Sequence, residues 1–219
     1  MRRRFGAVLF DCDGVLVDSE PITNGVLRDM LEEAGWTLSP QACMELFIGK
    51  AVRDERALIE SKTGQALTEA WMQRFYERRN ERLHKELQAI EGALEAVQRA
   101  HSHAQGRIAC ASGADRLKVE FQIDKAGMRP WFEDRIFSGH EMPRSKPAPD
   151  VYLAAAQRVG VEPAQCLVIE DTVTGIRAGI EAGCTVWAYC PLEARAEPLL
   201  AAGAQRLLPR MDALIDWLE

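Results

Sequence analysis

The 219-residue sequence has no long apolar run and no excess of positive charge. No stretch approaches the roughly 18 apolar residues of a membrane-spanning helix. The 33 acidic residues outnumber the 27 basic residues and give a formal net charge of −6, which argues against nucleic acid or an anionic membrane as the main partner. Arg2, Arg3 and Arg4 resemble the first part of a signal peptide, but the apolar run that follows stops at Asp11, too soon for one. We therefore expect a cytoplasmic protein without a membrane partner.

The chain also lacks paired cysteine spacings. Its six cysteines form no C-x-x-C motif, and most lie in apolar, strand-like runs: Cys12, Cys43, Cys110, Cys166, Cys184 and Cys190. Such positions are typical of reduced, buried thiols. A zinc site at Cys184 and Cys190 is disfavoured because no histidine lies near them. The four histidines are scattered, which favours solvated surface positions.

Three motifs that often mark catalysis or nucleotide binding are missing. The sequence contains no G-x-S-x-G elbow, no G-x-x-x-x-G-K-[ST] loop and no G-x-G-x-x-G fingerprint. Hydrolysis by a serine nucleophile and nucleotide binding by a glycine-rich loop therefore lose their usual support. The 47% hydrophobic content can still form a sizeable core. The length allows one large domain, or a domain with an insert, since ~100 to 200 residues per domain is usual.

Short apolar strands alternate with helices over most of the chain. Strands are predicted at about 5–11, 107–111, 135–138, 166–170, 184–189 and 206–208, and helices at 92–101, 115–127, 148–160, 173–182, 194–202 and a last one ending at Leu218. This alternation predicts an α/β fold with a parallel sheet wound on both faces.

Only helical patterns occur between the first strand and residue 88. Apolar residues at helical spacing start at Ile22 and stop at Gly35, and further helices are predicted at 39–47, 51–62 and 67–87. We therefore predict a core of residues 1–16 and 89–219 with an all-helical insert at 17–88. Since ligands bind beyond the carboxyl ends of parallel strands, an insert placed there is expected to act as a lid.

The stretch AVLFDCDGVLVDS, residues 7–19, places two carboxylates at the end of the first strand. Asp11 and Asp13 repel one another and lose hydration there, unless a cation or hydrogen bonds compensate. An Asp–Gly turn after a strand is the alternative interpretation.

Other strands also end in compact polar segments. They lead to Ser112–Gly113, Lys146 and Glu170–Asp171. Four carboxylates and one lysine in a small space require a cation, and Mg²⁺ is the oxygen-preferring ion that fits. Taken singly, Ser112–Gly113 could be a helix cap before Asp115, Lys146 a solvated side chain, and Glu170–Asp171 followed by Thr172 another N-cap.

Four stretches, FDCDGVLVDSE, CASG, SKPAPDVY and VIEDTVTGIRAGIEAG, resemble the motifs of the haloacid dehalogenase superfamily. Their order and spacing are similar to those of its sugar-phosphatase and β-phosphoglucomutase-like members. The resemblance implies a Rossmann-like core with a helical cap inserted after the first strand, and Mg²⁺-dependent phosphoryl transfer.

The resemblance also implies residue roles. Asp11 would be the nucleophile and Asp13 the general acid and base. Ser112, Gly113 and Lys146 would bind the phosphoryl group. The metal ligands would be the Asp11 carboxylate, the Asp13 backbone carbonyl and Asp171, with Glu170 binding directly or through water.

Departures from the family pattern narrow the reaction. Asp13 indicates phosphate esters, because the dehalogenases lack its equivalent. The β-phosphoglucomutases resembled here carry a histidine twelve residues after the nucleophile, where this chain has Thr23. Thr23 thus favours a phosphatase over a mutase, although a mutase and a non-catalytic binding protein remain alternatives. Ser112–Gly113 departs from the commoner Ser-Asn or Thr-Asn, with fewer side-chain contacts to the phosphate.

Substrate choice is expected to depend on the insert. The candidates are Glu20, Asn24, Lys50 and Arg53, and GKAVR at 49–53 resembles the family's cap loop. A basic pair suits an acidic sugar or a second phosphate, although a solvated helix face is the alternative. FSGHEMPRSKP and AIEGA resemble bacterial phosphatases acting on 6-phosphogluconate and similar sugar phosphates. We therefore expect a monomer whose partner is a small phosphorylated metabolite.

Overall fold

A computed structural model describes residues 5–48, 50 and 52–218. The chain forms two compact units, one of the residues up to Val17 together with those from Gln88 onward, and the other of Asp18–Leu87. The boundaries expected from the sequence lie one residue from these.

Six parallel strands form a single sheet in the described part of the first unit. They are β1 (Ala7–Phe10), β2 (Ile108–Ser112), β3 (Ile136–Ser138), β4 (Cys166–Glu170), β5 (Thr185–Tyr189) and β6 (Arg206–Leu208), in the spatial order β3-β2-β1-β4-β5-β6. Phe10 is paired with Cys110 of β2 and Ile169 of β4, so β1 ends in the middle of the sheet. The strand order also reverses at β1, where open α/β sheets form a crevice. The predicted parallel α/β fold is confirmed.

The helices are α1 (Glu20–Glu33), α2 (Pro40–Phe47), α3 (Arg56–Thr63), α4 (Glu69–Glu86), α5 (Ala93–His103), α6 (Arg116–Lys125), α7 (Arg129–Phe132), α8 (Asp150–Val159), α9 (Val173–Glu181), α10 (Ala196–Ala201) and α11 (Ile215–Leu218). Sequence periodicity missed α7 because four residues are too few to show a helical repeat. The helix predicted from residue 51 begins only at Arg56, since residues 52–55 form turns. Part of the predicted final helix is a 3₁₀ turn at Met211–Leu214.

Both faces of the sheet are buried. Side chains alternate along a strand, so Leu9 packs with Tyr152 of α8 and Ile176 of α9 in one apolar cluster. Phe10 faces the other way, and its ring lies 6.0 Å from that of Phe132 in an edge-to-face contact. Because both faces are covered, the strands are continuous apolar runs, and a charge at a strand end is conspicuous.

The second unit contains α1 to α4 around a core of its own. That core consists of Val26, Leu27, Met30, Leu31, Cys43, Phe47, Val52, Ile59, Leu67, Trp71, Met72 and Phe75. Hydroxyl caps begin two of its helices: Ser39 Oγ accepts from Ala42 N–H at 3.1 Å, and Thr68 Oγ1 accepts from Trp71 N–H at 3.2 Å. Among the described residues, no helix has the length and apolar character to cross a bilayer.

All six cysteines are buried and free of disulfides, as predicted. The histidine prediction was correct for His84 and His140, which are exposed. It was wrong for His101 and His103, which are half-buried at the end of α5.

Candidate active site

Asp11 directly follows β1 and is buried at the carboxyl edge of the sheet. Its backbone N–H donates to Ile169 O at 3.0 Å, which extends the pairing with β4 by one residue. The chain then turns at Gly14, whose φ is +78°. A Cβ atom at Gly14 would lie 2.4 Å from Asp171 Oδ2, so the close approach of the two loops requires glycine there. The Asp–Gly turn is therefore present, and it brings Asp11 and Asp171 to the same edge.

Lys146 is the cation at the centre of this edge. Its Nζ lies 2.6 Å from Asp11 Oδ1 and 2.7 Å from Glu170 Oε1, and 3.0 Å from both Ala111 O and Tyr152 Oη. The Lys146 side chain is 7% exposed, so it is not the solvated lysine of the alternative interpretation. These contacts fix the position of the ammonium group between two buried carboxylates.

Tyr152 of α8 accepts a hydrogen bond from Lys146. The sequence did not assign a role to this residue. Its hydroxyl donates to Glu170 Oε1 at 2.9 Å, and its ring lies 4.7 Å from Lys146 Nζ. The residue lies within the SKPAPDVY stretch, six positions after the lysine, which is the signal that could have identified it.

Glu170, the last residue of β4, is held through both carboxylate oxygens. Oε2 accepts hydrogen bonds from Asp171 N–H at 3.0 Å, Thr172 N–H at 3.1 Å and Thr172 Oγ1 at 3.0 Å. Thr172 Oγ1 also accepts from Gly175 N–H at 3.0 Å, so Thr172 is the N-cap of α9. A Cβ atom at Gly175 would lie 1.6 Å from Glu170 Oε1, so only glycine leaves room for this carboxylate.

Three buried carboxylates come together here in a group suited to a metal ion. One oxygen each from Asp11, Glu170 and Asp171 lies within 4.8 Å of the others. Such hard oxygen donors fit Mg²⁺, and a divalent cation would offset the repulsion that a single lysine cannot. Arg195, which the sequence analysis did not single out, lies next to the group. Its Nη2 is 3.8 Å from Asp171 Oδ2 and donates to Asp171 O at 3.2 Å.

The electrostatics of the group follow from burial and pairing. Burial raises the pKa of Asp11 to about 7, opposed by Lys146 and reinforced by Glu170. Burial also lowers the pKa of Lys146, but the charges of Asp11 and Glu170 outweigh it and raise this pKa well above the usual value. Although burial raises the pKa of Glu170, Lys146 and the hydrogen bonds to Thr172 and Tyr152 lower it overall. Lys146 and Glu170 are therefore a charged pair beside Asp11.

Asp13 is held by two side chains of α6. Lys118 Nζ donates to both Asp13 oxygens, at 2.7 Å and 2.8 Å, and Gln122 Nε2 donates to Oδ1 at 2.8 Å. Sequence reasoning did not find Lys118 or Gln122, because each lies more than 100 positions from Asp13. Their i,i+4 spacing just after Ser112–Gly113 is the only signal the sequence offers.

Ser112 and Gly113 follow β2 at the same edge. Ser112 Oγ accepts from Ala114 N–H at 3.1 Å, but the N-cap of α6 is Asp115, which accepts from Lys118 N–H at 3.0 Å. A Cβ atom at Gly113 would lie 4.0 Å from Lys146 Cδ. The structure therefore brings Ser112, Gly113, Lys146, Asp11, Glu170 and Asp171 together, as the convergence of strand ends predicts.

The four candidates in the second unit make contacts within that unit. Asn24 is buried and its Nδ2 donates to Glu20 Oε2 at 3.1 Å. Lys50 lies 3.3 Å from Glu55, and Arg53 forms a bidentate ion pair with Glu69 at 2.6 Å and 2.9 Å. Of the predicted loop at 49–53, residues 49 and 51 lie outside the described part of the chain. The roles of these four residues remain predictions.

Comparison with known proteins agrees with this geometry. The family model of the haloacid dehalogenase-like hydrolases matches residues 5–183. The 6-phosphogluconate phosphatase of Escherichia coli is 32% identical over 188 residues, which cover 85% of this chain and 83% of that protein. The fructose-1-phosphate phosphatase YqaB of E. coli is 31% identical over 184 residues, with 84% and 95% covered.

A solved structure of a haloacid dehalogenase family hydrolase from Deinococcus radiodurans, with bound phosphate and sodium, has a TM-score of 0.79 to this chain. It is 30% identical and covers 98% of this chain and 97% of its own. The chain belongs to the haloacid dehalogenase-like hydrolases. Its phosphatase relatives match it over most of their length.

Proposed function

We propose that this chain is a Mg²⁺-dependent phosphatase that hydrolyses a small sugar or sugar-acid phosphate through an aspartyl-phosphate intermediate. The observation that carries the proposal is the pairing of the buried Asp11 carboxylate with Lys146 at 2.6 Å, beside Glu170 and Asp171. A buried carboxylate group of this kind has no structural purpose, because apolar residues would pack the same strand ends more favourably. The E. coli relatives named for 6-phosphogluconate and fructose 1-phosphate support the substrate class.

Asp11 forms and then releases the covalent intermediate. An Asp11 carboxylate oxygen attacks phosphorus, the bond from phosphorus to the sugar oxygen breaks, and Asp13 gives a proton to that oxygen. Asp13 then takes a proton from water, the water oxygen attacks phosphorus, and the bond to Asp11 breaks to release phosphate. The contact of Lys146 with Asp11 Oδ1 orients the nucleophile for both displacements.

The phosphoryl group requires positive charge and hydrogen-bond donors. Lys146 supplies the charge, and Ser112 and Gly113 supply a hydroxyl and a backbone N–H at the end of β2. Positioning and charge neutralisation account for most of the rate in this class of reaction.

The metal would be held by the carboxylates of Asp11 and Asp171 and by the backbone carbonyl of Asp13. Both oxygens of Glu170 already accept hydrogen bonds, which favours contact through water for this residue. When bound, Mg²⁺ neutralises the charge on the phosphoryl oxygens.

The helical unit, predicted as residues 17–88, is proposed to select the substrate. The catalytic residues contact only the phosphoryl group and the leaving-group oxygen, which all sugar phosphates share, so discrimination between sugars must come from elsewhere. Glu20, Asn24, Lys50 and Arg53 are the proposed contacts.

The experiment measures phosphate release from sugar phosphates, sugar-acid phosphates, phosphoglycolate and β-glucose 1-phosphate, each with Mg²⁺ and with chelator. We expect metal-dependent release concentrated on one or two sugar or sugar-acid phosphates. Glucose 6-phosphate formed from β-glucose 1-phosphate without free phosphate would instead identify a mutase and make Thr23 uninformative. No turnover of any substrate, with binding retained, would identify a non-catalytic binding protein.

A further inference from the structure

Asp13 depends on α6 for its position. The residue lies in the turn after β1, and its carboxylate receives three hydrogen bonds from Lys118 and Gln122, all between 2.7 Å and 2.8 Å. These distances are typical of charge-assisted hydrogen bonds, which are stronger and more directional than neutral ones. The orientation of Asp13 is therefore set by α6 as well as by its own turn.

Lys118 and Gln122 are themselves fixed. The Lys118 backbone N–H donates to the Asp115 cap at 3.0 Å, which anchors the first turn of α6. Gln122 is fully buried, and Cys12 Sγ lies 3.4 Å from its Oε1 as a donor. Because the Gln122 oxygen accepts from the Cys12 thiol, the amide nitrogen is the end that faces Asp13. Cys12, Gln122 and Asp13 thus form a continuous chain of contacts.

The burial of Lys118 shows that this contact is more than a surface ion pair. Its side chain is 11% exposed and that of Asp13 is 20% exposed. By contrast, Asp124 of α6 and Arg129 of α7 form an exposed pair, with side chains 54% and 35% exposed, and water screens it. A lysine with so little exposure needs its partner, and the partner is the proposed acid and base.

We propose that Lys118 and Gln122 are positioning residues that hold Asp13 in line with the leaving-group oxygen. The inference rests on the proposed phosphatase function and extends it to α6. Neither residue needs to touch the phosphoryl group in this role. Their removal should therefore impair the steps that need proton transfer and spare a step that does not.

Leaving-group dependence separates this role from a purely structural one. A sugar alkoxide is a poor leaving group that needs the proton of Asp13, whereas p-nitrophenolate leaves without one. General acid catalysis contributes typically 10²–10⁴-fold, so imperfect positioning is expected to lose about 10- to 100-fold of it. The constant kcat/KM reports formation of the phosphoenzyme and excludes its later hydrolysis.

The test compares kcat/KM for p-nitrophenyl phosphate with that for the sugar phosphate the wild type hydrolyses best. We expect Lys118→Met and Gln122→Leu to lower kcat/KM about 10- to 100-fold for the sugar phosphate and less than about threefold for p-nitrophenyl phosphate. Lys118→Arg should restore much of the loss, and Lys125→Met, on the exposed end of α6, should leave both values unchanged. In the Asp13→Asn background, Lys118→Met should cause little further loss, because both changes act through one group.

Equal losses on both substrates would overturn the inference, because they would show that Lys118 anchors the fold or binds the phosphoryl group directly. Full additivity with Asp13→Asn would overturn it as well. If Lys118→Met does not fold, Gln122→Leu gives the same comparison, with Lys118→Arg as the variant expected to retain much of the activity. Failure of the proposed function is a separate result, in which the wild type releases phosphate from neither substrate.

Discussion

At the residue scale, the proposed mechanism depends most directly on the Asp11 carboxylate. Asparagine has nearly the same shape, so Asp11→Asn should keep the packing around β1 while removing the nucleophile. We expect phosphate release below about one per cent of wild type, since covalent catalysis does not survive loss of its nucleophile. The measurement is steady-state phosphate release, with circular dichroism to show that the fold is retained.

A matched control for this change is Asp134→Asn. Asp134 is exposed and pairs with Arg158 at 2.6 Å, outside the active-site group. Surface pairs of this kind contribute little, so turnover should stay at the wild-type level. Activity of Asp11→Asn well above one per cent, in protein free of wild-type enzyme, would rule out Asp11 as the nucleophile.

At the scale of single elements, Thr172 connects the start of α9 to the proposed metal site. Its hydroxyl caps the helix through Gly175 N–H and donates to Glu170 Oε2. Thr172→Val keeps the shape and removes both hydrogen bonds. Loss of the cap should lower the free energy of unfolding by about 1 kcal/mol. Without the hydroxyl, Glu170 is held less firmly. The Mg²⁺ concentration for half-maximal activity should therefore rise roughly tenfold, as expected for a group that supports the ligands of a metal ion.

Thr68→Val is the control that separates the loss of a helix cap from the change in Mg²⁺ dependence. Thr68 caps α4 through Trp71 N–H at 3.2 Å and belongs to the other unit. It should lose a similar amount of stability, read from urea unfolding, with no change in the Mg²⁺ dependence. An unchanged Mg²⁺ dependence in Thr172→Val would mean that Glu170 does not need this hydroxyl.

The elements also show why part of the site could be predicted. Every strand was predicted within about two residues, because a strand buried on both faces is a continuous apolar run that ends abruptly. The residues at strand ends, Asp11, Ser112 and Glu170, could be expected together for the same reason. Lys118, Tyr152 and Arg195 were missed because each contributes through a contact with residues distant in the sequence. The sequence offers only indirect signals for two of them, the place of Tyr152 in the SKPAPDVY stretch and the i,i+4 spacing of Lys118 with Gln122.

Element boundaries depended on local chemistry that periodicity does not show. The helix predicted from residue 148 begins at Asp150, after the prolines at 147 and 149. The four-residue α7 contains Pro130 and contributes Phe132 to the core. Its presence follows from packing against Phe10 rather than from helix propensity.

At the scale of the whole molecule, Mg²⁺ is expected to stabilise the fold. Asp11, Glu170 and Asp171 repel one another in a buried space, and a bound cation removes that repulsion only in the folded state. At a Mg²⁺ concentration of 100 times its Kd, the gain is about 2.7 kcal/mol, which raises Tm by several degrees. Calorimetry with Mg²⁺ and with chelator measures the shift.

Asp171→Asn provides the control for this prediction. The variant keeps the backbone of the β4–α9 connection and removes one metal-binding charge. It should show little or no Mg²⁺-dependent rise in Tm. An equal rise in the variant and the wild type would place the stabilising ion at another site.

The last prediction concerns the proposed role of the helical unit in substrate choice. Arg53 is proposed to recognise the acidic end of a sugar-acid phosphate. Arg53→Met should raise KM for 6-phosphogluconate about 10- to 100-fold, because a charge-assisted contact contributes about 1.5–3 kcal/mol. KM for p-nitrophenyl phosphate should not change, because that substrate has no second anionic group.

Arg78→Met is the matched control: Arg78 pairs with Glu33 at 2.6 Å and is 45% exposed, against 47% for Arg53. Equal effects of the two variants would show only a general effect of charge, and the substrate contacts would then have to be sought among Glu20, Asn24 and Lys50.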